Sequence, residues 1–83
     1  MNARIRQLIS SYAGLSSDIG SISDDADLYR VGLKSHACVE LMLALEESFQ
    51  IEFSDEMLTR ATFRSVGAIE RAVATLRREA LMA

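Results

Sequence analysis

Behind Asn2, a residue type that caps helix N-termini, Ile5, Leu8, Ile9 and Tyr12 recur at three- and four-residue spacing. The pattern predicts a first amphipathic helix that stops at Gly14, a plausible C-terminal glycine. Residues 15–34 lose the period. They are rich in Ser, Asp and Gly, and Leu15, Ile19, Ile22, Leu28, Val31 and Leu33 recur irregularly among them, as in a loop pinned to a core. Loops of this length in small domains are uncommon and usually functional.

Ser35, an N-cap residue type, then opens the strongest helical segment, which runs to about Gln50. Cys38, Leu41, Met42, Leu45 and Phe49 fall on one broad stripe that should face the core. Val39 and Leu43 lie to one side, beside Glu40 and Glu47. The segment is therefore buried nearly all round, or it shows a small apolar patch to a partner. Ser54-Asp55-Glu56 starts a short helical turn carrying Met57 and Leu58, and Phe63 points inward. Ser65 is a candidate cap for a last helix with Val66, Ile69, Val73 and Leu76 in register. Gly67 weakens its first turn by up to about 1 kcal/mol relative to Ala, and the residues after Arg78 are expected to fray. The order is helix, long loop, helix, short helix, helix: an all-α, four-helix bundle in one domain over 1–83.

Composition supports that reading. The 83 residues include no proline and only four glycines, and helix formers dominate. One cysteine and one histidine exclude an internal disulfide and argue against a structural zinc site. No signal-peptide pattern and no membrane-length apolar stretch is present, so a cytoplasmic location away from membranes is expected. A net charge of −3 argues against a nucleic-acid partner. Charge is unevenly spread: between positions 35 and 56 stand Glu40, Glu46, Glu47, Glu52, Asp55 and Glu56 with no Lys or Arg. Such a block is a solvated face or a surface that attracts a basic partner.

The run Asp27-Leu28-Tyr29-Arg30-Val31-Gly32-Leu33-Lys34-Ser35 resembles the approach to the modified serine of acyl and peptidyl carrier proteins. Val39-Glu40-Leu41-Met42-Leu43-Ala44-Leu45-Glu46-Glu47-Ser48-Phe49 resembles the helix that follows it, and Ile51, Phe53, Asp55 and Glu56 match the family's exit from that helix. The specific part covers residues 27–56. The resemblance implies an acyl-carrier-like bundle in which Ser35 receives 4′-phosphopantetheine from coenzyme A through a phosphopantetheinyl transferase. The arm then carries a cargo as a thioester, and the protein itself catalyses nothing. Where fatty-acid carriers often have Asp-Ser-Leu, this chain has Lys34-Ser35-His36. Gly-Leu-Lys-Ser-His-Ala and the 52–60 stretch are more similar to bacterial aminoacyl carrier proteins, which amino acid:carrier protein ligases resembling class II aminoacyl-tRNA synthetases load. Lys34, His36, Val39, Glu40, Leu43 and Glu47 are the implied partner-binding residues of a monomer. Acyl carriage in a specialised lipid or polyketide pathway, or a non-covalent helical interaction module, are the alternatives.

The chemistry of these residues stands beside the resemblance. A helix N-terminus offers unpaired N–H groups and a positive dipole end to a phosphodiester anion, and Gly32 lets the preceding turn approach the helix start. As a bare residue type, Ser35 is equally a plain N-cap. His36 does not face it, because adjacent helical residues point about 100° apart; it is a partner contact or a solvated first-turn residue. Asp24-Asp25-Ala26-Asp27 fails as a calcium loop, with Arg30 where a glycine is needed, and reads as a turn or cap. Cys38 reads as a small core residue.

Overall fold

A computed structural model describes residues 2–15 and 18–82. Among them are three α-helices, α1 (Asn2–Tyr12), α2 (Ser35–Phe49) and α3 (Val66–Met82), with 3₁₀ turns at Ile19–Ser21 and Asp55–Met57 and no strand. Ile5, Leu8 and Ile9 of α1, Ala37, Leu41 and Leu45 of α2, and Val66, Ile69, Ala72, Val73 and Leu76 of α3 form one core. Each set has helical spacing, which is why the three segments fold as helices and why they pack on one another.

The expected fourth helix is reduced to the single 3₁₀ turn at Asp55–Met57. Ser54, Asp55 and Glu56 are exposed, and Met57 alone of that turn packs against the core. One apolar anchor does not offset the cost of nucleating a longer helix. Three smaller expectations also change. Tyr12 is 45% exposed and lies outside the core. Asn2 is the first residue of α1, and its side-chain oxygen accepts from Arg6 Nε at 2.9 Å rather than from a helix amide. Finally, α3 continues past Arg78 to Met82.

The 18–34 part of the long loop is pinned as its scattered apolar residues imply. Ile22, Leu28 and Leu33 are buried, and Leu15, Ile19 and Val31 pack against the core. Arg6 reaches into the loop, donating to the carbonyls of Ile19 (2.6 Å) and Ile22 (2.7 Å) and to Asp24 Oδ1 (2.6 Å). Arg64 O accepts from Leu28 N at 2.7 Å, tying the loop to the entry of α3. Ser65 caps α3 as expected, its Oγ accepting from Ala68 N at 3.1 Å.

Candidate functional site

The long loop delivers the chain to the head of α2 through a chain of turns. Asp27 Oδ1 accepts from Tyr29 N at 2.9 Å, and Asp27 O from Arg30 N at 3.1 Å. Leu28 O accepts from both Val31 N (3.2 Å) and Leu33 N (2.9 Å). The second of these bonds closes around Gly32, at φ 116, a conformation side-chain-bearing residues rarely adopt. Asp27 is thus a turn residue, and its other oxygen lies 3.7 Å from Arg64 Nε.

Ser35 is not the cap of α2. Lys34 holds that position in extended geometry (φ −105, ψ 159) and makes no side-chain cap bond, since an ammonium has no acceptor to offer. Ser35 is the first helical residue; it is exposed, and its hydroxyl makes no hydrogen bond among the described residues. The first turn contains no acidic residue. The leading N–H groups of a fifteen-residue helix therefore lack a side-chain acceptor, and the field there favours an anion. A phosphodiester on Ser35 Oγ fits this donor set.

Downstream, α2 shows two faces. His36, Val39, Glu40, Leu43 and Glu47 follow at offsets of three, four, seven and eleven from His36, one outward stripe. All five are exposed, with Val39 at 54% and Leu43 at 55%. The apolar patch beside acids is therefore present. Glu46 departs from the acidic block: its Oε2 accepts from Phe53 N at 2.9 Å and serves the exit from α2. On the other face Leu41 and Leu45 are fully buried.

Beside Ser35 lies a groove of about 300 Å³ whose lining includes Cys38, Val39 and Met42 of α2 and Leu58, Arg60 and Phe63 of the following connection. Tyr29 is part of the same lining. The Arg60 guanidinium lies 3.9 Å from the centre of the Tyr29 ring, and Tyr29 Oη donates to Arg60 O at 3.3 Å. Cys38 Sγ donates to the same phenol oxygen at 3.7 Å. Burial, and then the Cys38 contact, push the Tyr29 phenol up to about 12. Cys38 is half-buried at this wall rather than sealed in the core. Sequence reasoning missed Tyr29 and Arg60 as site residues. They stand 31 positions apart, and no local periodicity links a loop tyrosine to an arginine in a later turn.

The result is a small all-helical body with an exposed serine hydroxyl at the head of a helix, beside an open groove. The chain belongs to the phosphopantetheine attachment site family, whose model matches residues 3–73. It is 48% identical over 73 residues to an aminoacyl carrier protein of Agrobacterium fabrum (strain C58 / ATCC 33970), a match that covers 88% of each protein. Its fold is similar to a chain in the crystal structure of an engineered Bradyrhizobium japonicum glycine:[carrier protein] ligase complexed with carrier protein from Agrobacterium tumefaciens and ATP. There the TM-score is 0.85 at 46% identity, over 89% of this chain and 96% of that one. It is also similar, with TM-score 0.72 at 28% identity over 86% and 95%, to a chain in the structure of Bradyrhizobium japonicum glycine:[carrier protein] ligase complexed with glycylated carrier protein. The group that the family carries is phosphopantetheine. Among the described residues no helix is long and apolar enough to cross a membrane.

Proposed function

We propose that this protein is an aminoacyl carrier, modified with 4′-phosphopantetheine on Ser35 and loaded with an amino acid by an amino acid:carrier protein ligase. The observation that carries the reading is the Ser35 hydroxyl at the head of α2, exposed and without a hydrogen-bond partner among the described residues. When bound, the arm supplies a thiol on which a carboxylic acid can be held in activated form. The chain supplies the rest. Ser35 Oγ is the acceptor: it loses its proton and bonds to the pantetheine-bearing phosphorus of coenzyme A, the pyrophosphate bond breaks, and 3′,5′-ADP leaves. Leading N–H groups of α2 then hold the phosphodiester charge.

The outward stripe of α2 is the docking face. Val39 and Leu43 supply apolar contact, Glu40 and Glu47 attract a basic surface on the transferase or ligase, and Lys34 and His36 flank the attachment point. The relatives' complexes with glycine:[carrier protein] ligase support a ligase as the partner and a small amino acid as the cargo. The protein has no catalytic activity of its own, acts as a cytoplasmic monomer, and uses residues 1–83 as one carrier domain. Its radius of gyration of 11.9 Å agrees with the about 12 Å that a compact chain of this length adopts. The apolar lining from Val39, Met42, Leu58 and Phe63 supports the second reading, carriage of a short acyl group.

Intact mass after incubation with coenzyme A and a broad-specificity transferase tests the proposal. One phosphopantetheine is gained, and Ser35→Ala gains none. A further gain of one amino acid with ligase and ATP selects the aminoacyl reading. Loading only by an acyl-activating enzyme selects the second. A chain that stays unmodified with several transferases is instead a non-covalent interaction module.

A further inference from the structure

The lining of the groove beside Ser35 contains a guanidinium and, among the described residues, no carboxylate. Arg60, like several other arginines, forms no ion pair among the described residues, but it is the one arginine that lines the groove with Ser35. Its charge is available there for an incoming anion. Arg60 is also held in place before any anion arrives. Its guanidinium is stacked 3.9 Å over the Tyr29 ring, and its carbonyl accepts from the phenol of the same residue. The turn that carries it is tied by Thr62 N to Thr59 O (3.2 Å) and by the Thr59–Thr62 hydroxyl pair (3.1 Å). A planar, weakly hydrated cation fixed by stacking loses little freedom when it binds a phosphate, and it presents two parallel N–H groups to it.

Resting on the assignment of the arm to Ser35, we propose that Arg60 is a binding residue for the phosphodiester of that arm, pairing with it across the mouth of the groove. Ser35 and Arg60 line the same groove, and Lys34 immediately precedes the attachment point, so cationic groups from two separate segments are available to the phosphate. The root of the arm is then held against the protein at Ser35 rather than free to swing. The acidic outward stripe of α2 stays clear for a partner.

The test compares apo and holo protein by nuclear magnetic resonance, with ¹⁵N-labelled arginine side chains and ³¹P detection on the holo form. Intact mass first verifies the arm on Ser35. On going from apo to holo, the Arg60 Nε–Hε resonance and the Tyr29 ring signals shift, and added salt reverses part of the shift. In holo Arg60→Gln the ³¹P resonance moves from its wild-type position, and the Tyr29 shift is lost. Arg60→Lys keeps the charge but not the fork, and falls between the two. Arg60 is exposed, so these variants fold, as circular dichroism verifies. Full modification of Ser35 with unchanged Arg60 and ³¹P resonances overturns this inference and leaves the carrier reading intact. No mass gain at Ser35 overturns both.

Discussion

The amide of Gly67 donates to the carbonyl oxygen of Asp24 at 2.9 Å, and a Cβ built on Gly67 would stand 3.2 Å from that same oxygen. The glycine sits in the first turn of α3, where its low helix propensity is a cost. The close approach explains it: the long loop passes so near the start of α3 that a side chain at this position would force the Asp24 carbonyl to give way by a few tenths of an ångström. Asp24 is also held from the other side by Arg6 and Asn2, so its carbonyl has little freedom to retreat. Gly67→Val should therefore destabilise the protein by about 2 kcal/mol through overpacking, read as a lower midpoint in urea unfolding with an unchanged slope.

Arg6 should behave as more than a surface charge. Its guanidinium satisfies two loop carbonyls, the Asn2 oxygen and Asp24 together. Lysine cannot reproduce that fork. Both Arg6→Ala and Arg6→Lys should lose about 1–2 kcal/mol, since the part-buried Ile22 carbonyl loses the guanidinium donor and the Ile19 carbonyl keeps only the Ile22 amide. A lysine variant as stable as wild type in urea melts would show that charge alone suffices.

Acid should act on the same joint. Hydrogen bonds from Arg6 and then Asn2 hold the Asp24 carboxyl below its ordinary value of 3.8. A carboxyl depressed in the fold contributes stability above its unfolded pKa, and that contribution is lost as pH falls through the lower folded value. Stability measured from pH 6 downward should thus begin to fall near pH 4. Asp24→Asn should remove the part of that slope below pH 4 while leaving stability above it nearly flat.

The phenol of Tyr29 gives the opposite limb. Raised to about 12 by burial and by Cys38, it contributes stability that is complete below the ordinary phenol value of about 10 and declines from there through pH 12. Ultraviolet titration should show the Tyr29 phenolate appearing late. Tyr29→Phe should remove the late transition and the pH 10–12 loss of stability together.

The two faces of α2 should separate stability from docking. Leu41 is fully buried, and Leu41→Ala should cost about 2–5 kcal/mol. Val39→Ala and Leu43→Ala, on residues more than half exposed, should change stability by less than about 0.5 kcal/mol and yet slow ligase loading. Charge reversal at Glu40 and Glu47 should slow loading in a salt-sensitive way. Equal loading rates in all four variants would place the ligase elsewhere on the surface.

Periodicity alone reported the bulk of this architecture. The heptad-like recurrence from Ile5 to Ile9, from Leu41 to Leu45 and from Val66 to Leu76 is a local property, because burying one face of a helix requires it wherever the helix ends up. The exposed Val39–Leu43 patch could also be read there as one of two options, since α2 carries more apolar residues than one buried face needs.

Other features depended on neighbours distant along the chain. Whether Ser35 caps α2 rests on the extended backbone of Lys34, set by turns that begin at Asp27. Whether 54–58 becomes a helix rests on how few of its residues reach the core. The role of Gly67 follows from a loop carbonyl 43 positions earlier, and the stacking of Arg60 on Tyr29 from a ring 31 positions earlier. Helical spacing is written into the chain because hydrogen bonding within a helix spans four residues. Cap, close approach and groove arise where separate segments meet, and no window of sequence contains both sides of that meeting.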